Sequence, residues 1–109
     1  MAGRYVLSRS GDQYHFVLKA SNGEPILSSE RYTTKANALG GITSVRNNSP
    51  IDARYEKRTA ANGQFYFVLK ASNGEPIGTS ETYTSSAGRD AGIASVKAHG
   101  PDATLTDNT

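Results

Sequence analysis

An internal repeat is the feature that most constrains what this chain of 109 residues can fold into. Residues 13–50 match residues 64–101 at a constant offset of 51, and about 22 of the 38 aligned pairs are identical. Two copies are too few to build an open solenoid, and about 51 residues lie near the lower limit for independent folding. The repeat therefore predicts one domain over residues 1–109, in which a first copy (about 3–52) and a second copy (about 53–107) share a core.

Each copy begins with residue patterns that are typical of antiparallel strands. Apolar and polar residues alternate from Tyr14 to Lys19, which favours a half-buried strand, and the second copy repeats the pattern. The pair Asn22-Gly23 then favours a type I′ hairpin turn, because both residues tolerate a positive φ. Three strands are predicted in each copy, at residues 4–9, 14–19 and 26–32 and at residues 53–58, 65–70 and 77–83.

A helix is predicted after the third strand of each copy. Thr34 and Ser85 are N-cap candidates, because a hydroxyl can accept a hydrogen bond from an unpaired N–H of the first helical turn. Gly41 and Gly92 lower helix propensity, so their presence in both copies indicates that each helix closely approaches the sheet. The apolar residues predicted to face the sheet are Ala38, Ile42 and Val45 in the first helix and Ile93 and Val96 in the second. A last strand is predicted over residues 103–106.

These elements predict an α+β fold. Each copy reads strand–strand–strand–helix with a further strand after the helix, and strands that follow one another through tight turns pair antiparallel. The predicted architecture is therefore two tandem β-β-β-α-β repeats that form one pseudo-symmetric antiparallel sheet, with both helices packed on one face.

The repeated motifs also carry a family resemblance. They are FVLKASNGEPI, then SExYT, then GIxSV, and each occurs twice. The chain resembles the YegP-like family of small uncharacterised bacterial proteins over essentially its full length. The resemblance implies the same tandem units in one sheet, with the C-terminal strands exchanged between the repeats. It implies no activity, substrate, cofactor or catalytic residue.

Composition and motif content exclude several classes of chemistry. The chain has no Cys, which excludes disulfide frameworks, thiolate catalysis and Cys-ligated metal sites. No P-loop, G-x-G-x-x-G or G-x-S-x-G pattern occurs, so neither a phosphate-cradling loop nor a nucleophile elbow is predicted. The net charge of +2 provides weak steering toward nucleic acids or anionic membranes. We therefore predict no catalytic residue, no metal and no cofactor.

Repeated polar residues are the remaining candidates for catalysis. Glu30 and Glu81 occupy equivalent positions and could form the symmetric carboxylate site of a small enzyme. The simpler interpretation is that each carboxylate accepts a hydrogen bond from a turn or a helix N-terminus. Tyr32 and Tyr83 are interpreted as packing contacts between strand and helix rather than as site residues.

The main candidate for a binding surface is the sheet face opposite the helices, called the open face below. Alternation places on this face a set of side chains from the second strand of each copy. The candidate binding face consists of His15, Val17, Lys19, Tyr66, Val68 and Lys70. Aromatic and lysine side chains on a sheet are also typical of platforms for single-stranded nucleic acid.

The sequence therefore favours three hypotheses about function. The first is a small non-enzymatic binding or interaction module that acts on a protein partner through the open face or a strand edge. The second is a weak binder of single-stranded nucleic acid that uses the lysine and aromatic side chains of the open face. The third is a small enzyme with a symmetric carboxylate site.

The sequence places few constraints on the oligomeric state and the cellular location. A monomer and a strand-exchanged homodimer are both expected, because a terminal strand that is exchanged within a chain can also be exchanged between chains. No apolar run reaches the length of a signal peptide or a membrane span. With no cysteine to staple a secreted fold, the sequence predicts a cytoplasmic protein without a membrane partner.

Overall fold

The computed structural model describes residues 3–109. The strands in this part of the chain are β1 (Arg4–Ser10), β2 (Gln13–Lys19), β3 (Pro25–Ser29), β4 (Tyr55–Thr59), β5 (Phe65–Lys70), β6 (Pro76–Thr79) and β7 (Thr104–Asp107). The helices are α1 (Lys35–Asn48) and α2 (Ser86–His99), and a short 3-10 turn (Asp52–Arg54) leads into β4. The predicted α+β class is confirmed. The third strand of each copy is shorter than predicted, because Tyr32 and Tyr83 lie beyond it and form isolated bridges to β2 and β5.

The seven strands of residues 3–109 form one sheet in the order β4-β5-β6-β3-β2-β1-β7. All neighbours pair antiparallel except β1 and β7, which are parallel. The two copies meet at the centre, where Ser28 of β3 pairs with Thr79 of β6. The strand after α2 lies beside β1 of the first copy, so residues 3–109 contain one of the two exchanged strands that the resemblance implies. The first copy lacks the predicted fifth strand, because the chain passes from α1 through the 3-10 turn directly into β4.

The hairpin turn between β2 and β3 is not the predicted type I′ turn. Gly23 has a φ of 86°, but no non-glycine residue of the described chain has a positive φ, so Asn22 keeps an ordinary backbone conformation. The Gly23 N–H donates to the Ala20 carbonyl (2.9 Å), and the Asn22 side-chain oxygen accepts from the Glu24 N–H (3.0 Å). The turn is therefore a three-residue loop with a glycine bulge, in which asparagine acts through its side chain. The second copy contains this turn twice.

Both helices approach the sheet closely at a glycine, as predicted. A Cβ atom at Gly41 would overlap the Tyr32 hydroxyl and crowd the Phe16 ring, and a Cβ atom at Gly92 would overlap the Tyr83 hydroxyl. Glycine at these two positions therefore lowers helix propensity but allows a short distance between helix and sheet.

The ends of the helices confirm the predicted caps. The Thr34 and Ser85 hydroxyls accept hydrogen bonds from N–H groups of the first helical turn, at 3.1 and 3.0 Å. Gly100, which follows α2, has a right-handed φ of −56° and so is not a left-handed cap. Glycine is required there because a Cβ atom would overlap the Ser49 side chain at the end of the other helix.

One apolar cluster fills the space between the helices and one face of the sheet. Its buried members are Tyr5, Leu7, Phe16, Leu18, Ile26, Leu27, Ala38, Ile42, Val45, Phe67, Leu69, Ile77, Ile93, Val96 and Ala103. Two hydrogen bonds link the copies across this core. The Tyr5 hydroxyl donates to the Gly100 carbonyl (2.5 Å), and the Tyr55 hydroxyl donates to the Ser49 carbonyl (2.7 Å). Each helix end is thereby tied to the first strand of the other copy.

Candidate functional site

The six residues of the predicted binding face lie on the open face of the sheet. Their neighbours along β2 and β5 belong to the core, and side chains alternate between the two faces along a strand. A row of paired residues crosses this face in the order Val17, Ser28, Thr79 and Val68. The two valines are three strand spacings apart, roughly 14 Å. The predicted residues therefore form two separate groups on one surface.

The open face is lined by polar side chains rather than by an apolar patch. Val68 is 3% exposed and Val17 is half-buried, so the two valines offer little exposed apolar surface. The large apolar side chains that are exposed in residues 3–109 are Leu39, Ile51 and Leu105, and none of them belongs to this face. The open face therefore lacks the contiguous apolar area that marks many docking surfaces.

One lysine of the open face is held in a small ion network. Lys70 Nζ lies 2.8 Å from a carboxylate oxygen of Glu56, and Arg58 also contacts that oxygen, at 2.5 Å. The hydrogen bond from Lys70, followed by that from Arg58, holds the pKa of Glu56 below its ordinary value. The positive charge of Lys70 is thus already partnered by a carboxylate, which reduces its value for binding a phosphate backbone.

The two repeated glutamates lie at different levels along the central strands. The Glu30 N–H donates to the Ile77 carbonyl (3.3 Å), whereas Glu81 lies four residues beyond Ile77, roughly 13 Å along an extended chain. Carboxylate pairs that hydrolyse glycosides are about 5–10 Å apart. The backbone spacing therefore disfavours a paired carboxylate site.

The serine before each glutamate, rather than the carboxylate, forms side-chain hydrogen bonds with the backbone. The Ser29 hydroxyl accepts from the Phe16 N–H (2.8 Å) and donates to the Glu30 carbonyl (2.7 Å). Ser80 makes the same two bonds in the second copy, at 3.0 and 2.8 Å. Within residues 3–109, neither glutamate side chain takes part in a hydrogen bond, so the predicted carboxylate bond is wrong. The hydroxyl prevails because it lies beside a backbone N–H of the neighbouring strand.

Tyr32 and Tyr83 join a strand to a helix, as predicted. The Tyr32 N–H and carbonyl pair with Tyr14 at 2.8 and 2.7 Å, and its hydroxyl lies against Gly41 of α1. Tyr83 makes the corresponding contacts in the second copy. Burial, and then the charge of the nearby glutamate, raises the pKa of both hydroxyls. Both tyrosines therefore stay protonated and act as packing groups.

A groove of about 440 Å³ lies between β4 and α2 at the edge of the sheet, and we call it the β4 groove. Lys57 of β4 lies 3.1 Å from Asp90 of α2, and Lys97 of α2 contacts Asp52. The side chains of Lys57, Asp90 and Asp52 are more than half exposed and that of Lys97 is one-third exposed, so each ion pair contributes little to stability. The hydrogen bond from Lys57 holds the pKa of Asp90 below its ordinary value. The groove is lined by Asp52, Tyr55, Lys57, Asp90, Ile93, Ala94 and Lys97.

The corresponding position of the first copy is filled by β7. Tyr5 pairs in register with Leu105 of β7 and is 0% exposed, whereas Tyr55 of the second copy is half-buried. Lys35 of α1 lies 2.6 Å from Asp107, which ties β7 to the helix. No strand of residues 3–109 covers the β4 groove in this way.

The β4 groove was not predicted from the sequence, although the repeat contains a signal for it. Leu7 and Leu39 of the first copy correspond to Lys57 and Asp90 of the second. Two apolar positions thus become charged in the copy whose edge is uncovered. Such a change between otherwise similar copies indicates where the two differ in burial.

The remaining side chains of residues 3–109 add no candidate metal site. The His15 Nδ1 atom is buried and has no hydrogen-bond partner within residues 3–109. In the same range, no three His, Asp or Glu side chains are grouped so that they could hold a metal ion. None of the helices described there is both long and apolar enough to cross a membrane. The open face and the β4 groove are therefore the two surfaces to weigh.

Comparison with known proteins identifies relatives along the whole chain. A family model described as a domain of unknown function (DUF1508) matches residues 10–56 and 60–107. The UPF0339 protein YegP of Shigella flexneri is 59% identical over 110 residues, which is 100% of both chains. No function is assigned to this relative.

Two solution NMR structures have the same fold. That of yegP from E. coli, described as a protein of unknown function, is 58% identical with a TM-score of 0.94, and the match covers 100% of this chain and 95% of that chain. That of a UPF0339 protein from Shewanella oneidensis is 55% identical with a TM-score of 0.91, and the match covers 98% and 92%. The likeness therefore extends from sequence to tertiary structure, without adding an activity.

Proposed function

The chain belongs to the DUF1508 family, whose function is unknown, and we propose that it is a small non-enzymatic interaction module that binds proteins through its β4 edge. The observation that carries the proposal is the uncovered β4 groove, since β7 covers the corresponding edge of the first copy. An uncovered edge strand presents backbone groups with which another strand can pair.

The backbone direction of β4 supports the proposal. The Ala60 N–H donates to the Gln64 carbonyl (2.7 Å), and in an antiparallel ladder the bonded residues then alternate, so residues 58 and 56 bond to β5. The N–H and carbonyl groups of Lys57 and Thr59 consequently point away from the sheet. The free side of β4 therefore offers hydrogen-bond donors and acceptors next to the apolar surface of the groove.

The edge is better suited to binding a protein than the open face is. Tyr55 and Ile93 provide apolar surface in the β4 groove, beside unpaired backbone groups. On the open face, Val68 is covered and Lys70 is held by Glu56. The open face stays a second candidate surface of the same module, with the six residues named for it above.

The two alternative functions have less support. A single-stranded nucleic acid would need free cations, but Lys70 shares a carboxylate with Arg58 and the net charge is only +2. A symmetric carboxylate enzyme would need Glu30 and Glu81 to converge, which their spacing along the sheet disfavours.

We extend the proposal to organisation and location. Residues 1–109 form one domain of two pseudo-symmetric repeats, a view supported by the shared core and by the hydrogen bonds of Tyr5 and Tyr55 to the opposite copy. A monomer is favoured because β7 pairs with β1 of its own chain. A cytoplasmic location is supported by the lack of cysteine.

A matched pair of helix substitutions tests the proposal. Ala94→Arg places a large side chain in the β4 groove, whereas Ala98→Arg places the same side chain on exposed α2 surface that does not line it. Both alanines are exposed, so both variants keep the fold, which thermal unfolding checks. In capture from bacterial lysate, we expect wild type and A98R to enrich the same protein and A94R to enrich it at least about tenfold less.

Two results would contradict the proposal. If A94R enriches the same proteins as A98R, or if wild type enriches nothing beyond A94R, the β4 edge is not the binding surface. If Lys19→Glu loses the partner while A94R keeps it, binding takes place on the open face instead.

A further inference from the structure

The β4 groove has a template for its occupant within the same molecule, because β7 fills the corresponding position of the first copy. β7 runs parallel to β1, with Leu105 level with Tyr5 and Asp107 level with Leu7. We propose that the β4 groove binds an extended segment of a partner protein, which adds to the sheet as a strand parallel to β4 and places an aliphatic side chain beside Tyr55. This inference rests on the proposed function and specifies the ligand.

The backbone of β1 shows how such a strand would be held. The Thr104 N–H donates to the Gly3 carbonyl (3.1 Å), and the Asn108 N–H donates to the Leu7 carbonyl (2.8 Å). Lys57 of β4 corresponds to Leu7, and its carbonyl also points away from the sheet. A strand parallel to β4 would therefore meet at Lys57 the acceptor that β7 meets at Leu7, whereas Ala53, the counterpart of Gly3, lies in the 3-10 turn.

The side chains around the groove define a preference within the added strand. The residue that corresponds to Leu105 would lie level with Tyr55 and near Ile93, which suits an aliphatic side chain. The residue two positions later would lie level with Lys57, as Asp107 lies level with Leu7. The preferred segment is therefore aliphatic–any–acidic, with the acidic residue near the Lys57 ammonium group.

The ion pairs across the groove can open at small cost. The side chains of Lys57 and Asp90 are 53% and 52% exposed, and exposed ion pairs add little stability. An incoming carboxylate can therefore replace Asp90 as the partner of Lys57. The charged lining also disfavours strands that are wholly apolar, because they would remove the Lys57–Asp90 ion pair from solvent without adding a polar partner.

A second copy of this chain is a less suitable occupant. Residues 3–109 contain one β7 but two strands, β1 and β4, that it could cover. Exchange of β7 between two molecules would therefore leave half of these strand edges uncovered. Direct pairing of two β4 edges is opposed by their charged residues, because charges on an edge strand hinder edge-to-edge association. These residues are Glu56, Lys57 and Arg58.

The chain itself provides a probe for the test. A synthetic peptide of residues 101–109, capped at both ends, carries the aliphatic–any–acidic pattern at Leu105 and Asp107. Titrated into ¹⁵N-labelled protein, it should give saturable amide shifts in β4 and in the part of α2 that lines the β4 groove. We expect A98R to bind it as wild type does and A94R to bind it at least about tenfold more weakly.

Two modified peptides test the chemistry and the direction of the added strand. Replacing the leucine, L105D in the peptide, should abolish the shifts, because a charge would then face Tyr55. A spin label at the N-terminus of the peptide should broaden amides near Tyr55, and a label at its C-terminus should broaden amides near Thr59. The reverse pattern would mean antiparallel addition and would overturn the inference.

Other outcomes separate this inference from the proposed function. Shifts confined to β1 would mean that the peptide displaces β7, and a dimer in light scattering that A94R abolishes would identify a second copy as the occupant; either result overturns the inference. If A94R loses a captured partner but the peptide does not bind the β4 groove, the proposed function stands and the inference falls. If the peptide binds as described but A94R keeps the partner, the proposed function falls.

Discussion

The two outer strands of the same repeated unit, β1 and β4, have different neighbours. β1 lies between β2 and β7, so Tyr5 is fully buried. β4 has one neighbour, β5, and Tyr55 is half-buried beside an open groove. Where β1 has Leu7, β4 has Lys57. The pairing of β7 with β1 therefore covers the edge of the first copy, whereas the edge of the second copy remains open for binding.

Two kinds of interior contact are the same in both copies. Ser29 and Ser80 bridge the same backbone groups in the two copies, and Gly41 and Gly92 lie against equivalent tyrosines. Both sets of residues belong to stretches where the copies are identical in sequence. These contacts are therefore kept although one edge is covered and the other is not.

The largest expected difference between the copies concerns the two tyrosines. Tyr5→Ala should lower the free energy of unfolding by about 3–5 kcal/mol, because it removes a fully buried ring. Tyr55→Ala should cost roughly half as much, since its ring is partly exposed already. Both variants lose one hydroxyl hydrogen bond, so the comparison isolates burial. Urea denaturation measures both values, and equal losses would mean that β7 does not protect β1.

The glycines of the helices should respond alike in the two copies. Gly41→Ala and Gly92→Ala should each cost about 1–3 kcal/mol, because the added methyl group overlaps a tyrosine hydroxyl. Gly40→Ala is the matched control within α1: a Cβ atom there meets nothing within 4 Å, so helix propensity should stabilise the protein by up to about 1 kcal/mol. Thermal unfolding of the three variants decides, and a stabilising G41A would refute the close approach.

The bridging serines should show a smaller effect of equal size in the two copies. Ser29→Ala and Ser80→Ala should each cost about 1–2 kcal/mol, because a strand N–H loses its acceptor. The exposed Ser28→Ala serves as the control and should change stability by no more than about 0.5 kcal/mol. Denaturant midpoints provide the measurement. A neutral S29A would show that water replaces the hydroxyl.

The smallest expected effect is the pH dependence of the contact that holds β7 against α1. The hydrogen bond from Lys35, followed by those from Thr109, lowers the pKa of the Asp107 carboxyl below its ordinary value of 3.8. Because the folded-state pKa is the lower one, the stabilisation is present above the ordinary value and is lost as the pH falls through the folded-state pKa. The protection of β7 amides against hydrogen exchange, relative to their intrinsic rates, should therefore fall in acid before that of β2 amides. Asp107→Asn should remove this pH dependence, and an unchanged profile in D107N would assign it to another group.

The local elements could be predicted from the sequence because their signals are short-range. Alternation over residues 14–19, the hydroxyl caps Thr34 and Ser85, and the apolar stripe of α1 all depend on neighbours within a few residues. The type I′ turn was predicted wrongly because Asn22 bonds through its side chain, which leaves the positive φ to Gly23 alone. The φ values of an Asn-Gly pair depend on the number of loop residues and on the hydrogen bonds that close the loop.

The candidate site could be predicted only in part. Alternation placed Val17 and Val68 on one face, and pairing through Ser28 and Thr79 does join them in one row. Their low exposure could not be predicted, because it depends on strands that are distant in sequence. The β4 groove could not be predicted for a similar reason. It is open because β7 pairs with β1, which is distant in sequence, and not with β4.

By itself, the sequence determined that this chain contains one structural unit twice, that each unit combines hairpin strands with a helix, and that cysteine and phosphate-loop chemistry are excluded. The tertiary structure decided which copy receives the last strand. The change from Leu7 to Lys57 indicates that the two edges differ, but it does not show which strand covers β1, because the parallel pairing of β1 with β7 joins residues about one hundred positions apart. That single long-range pairing leaves β4 open, and with it the surface that we propose for binding.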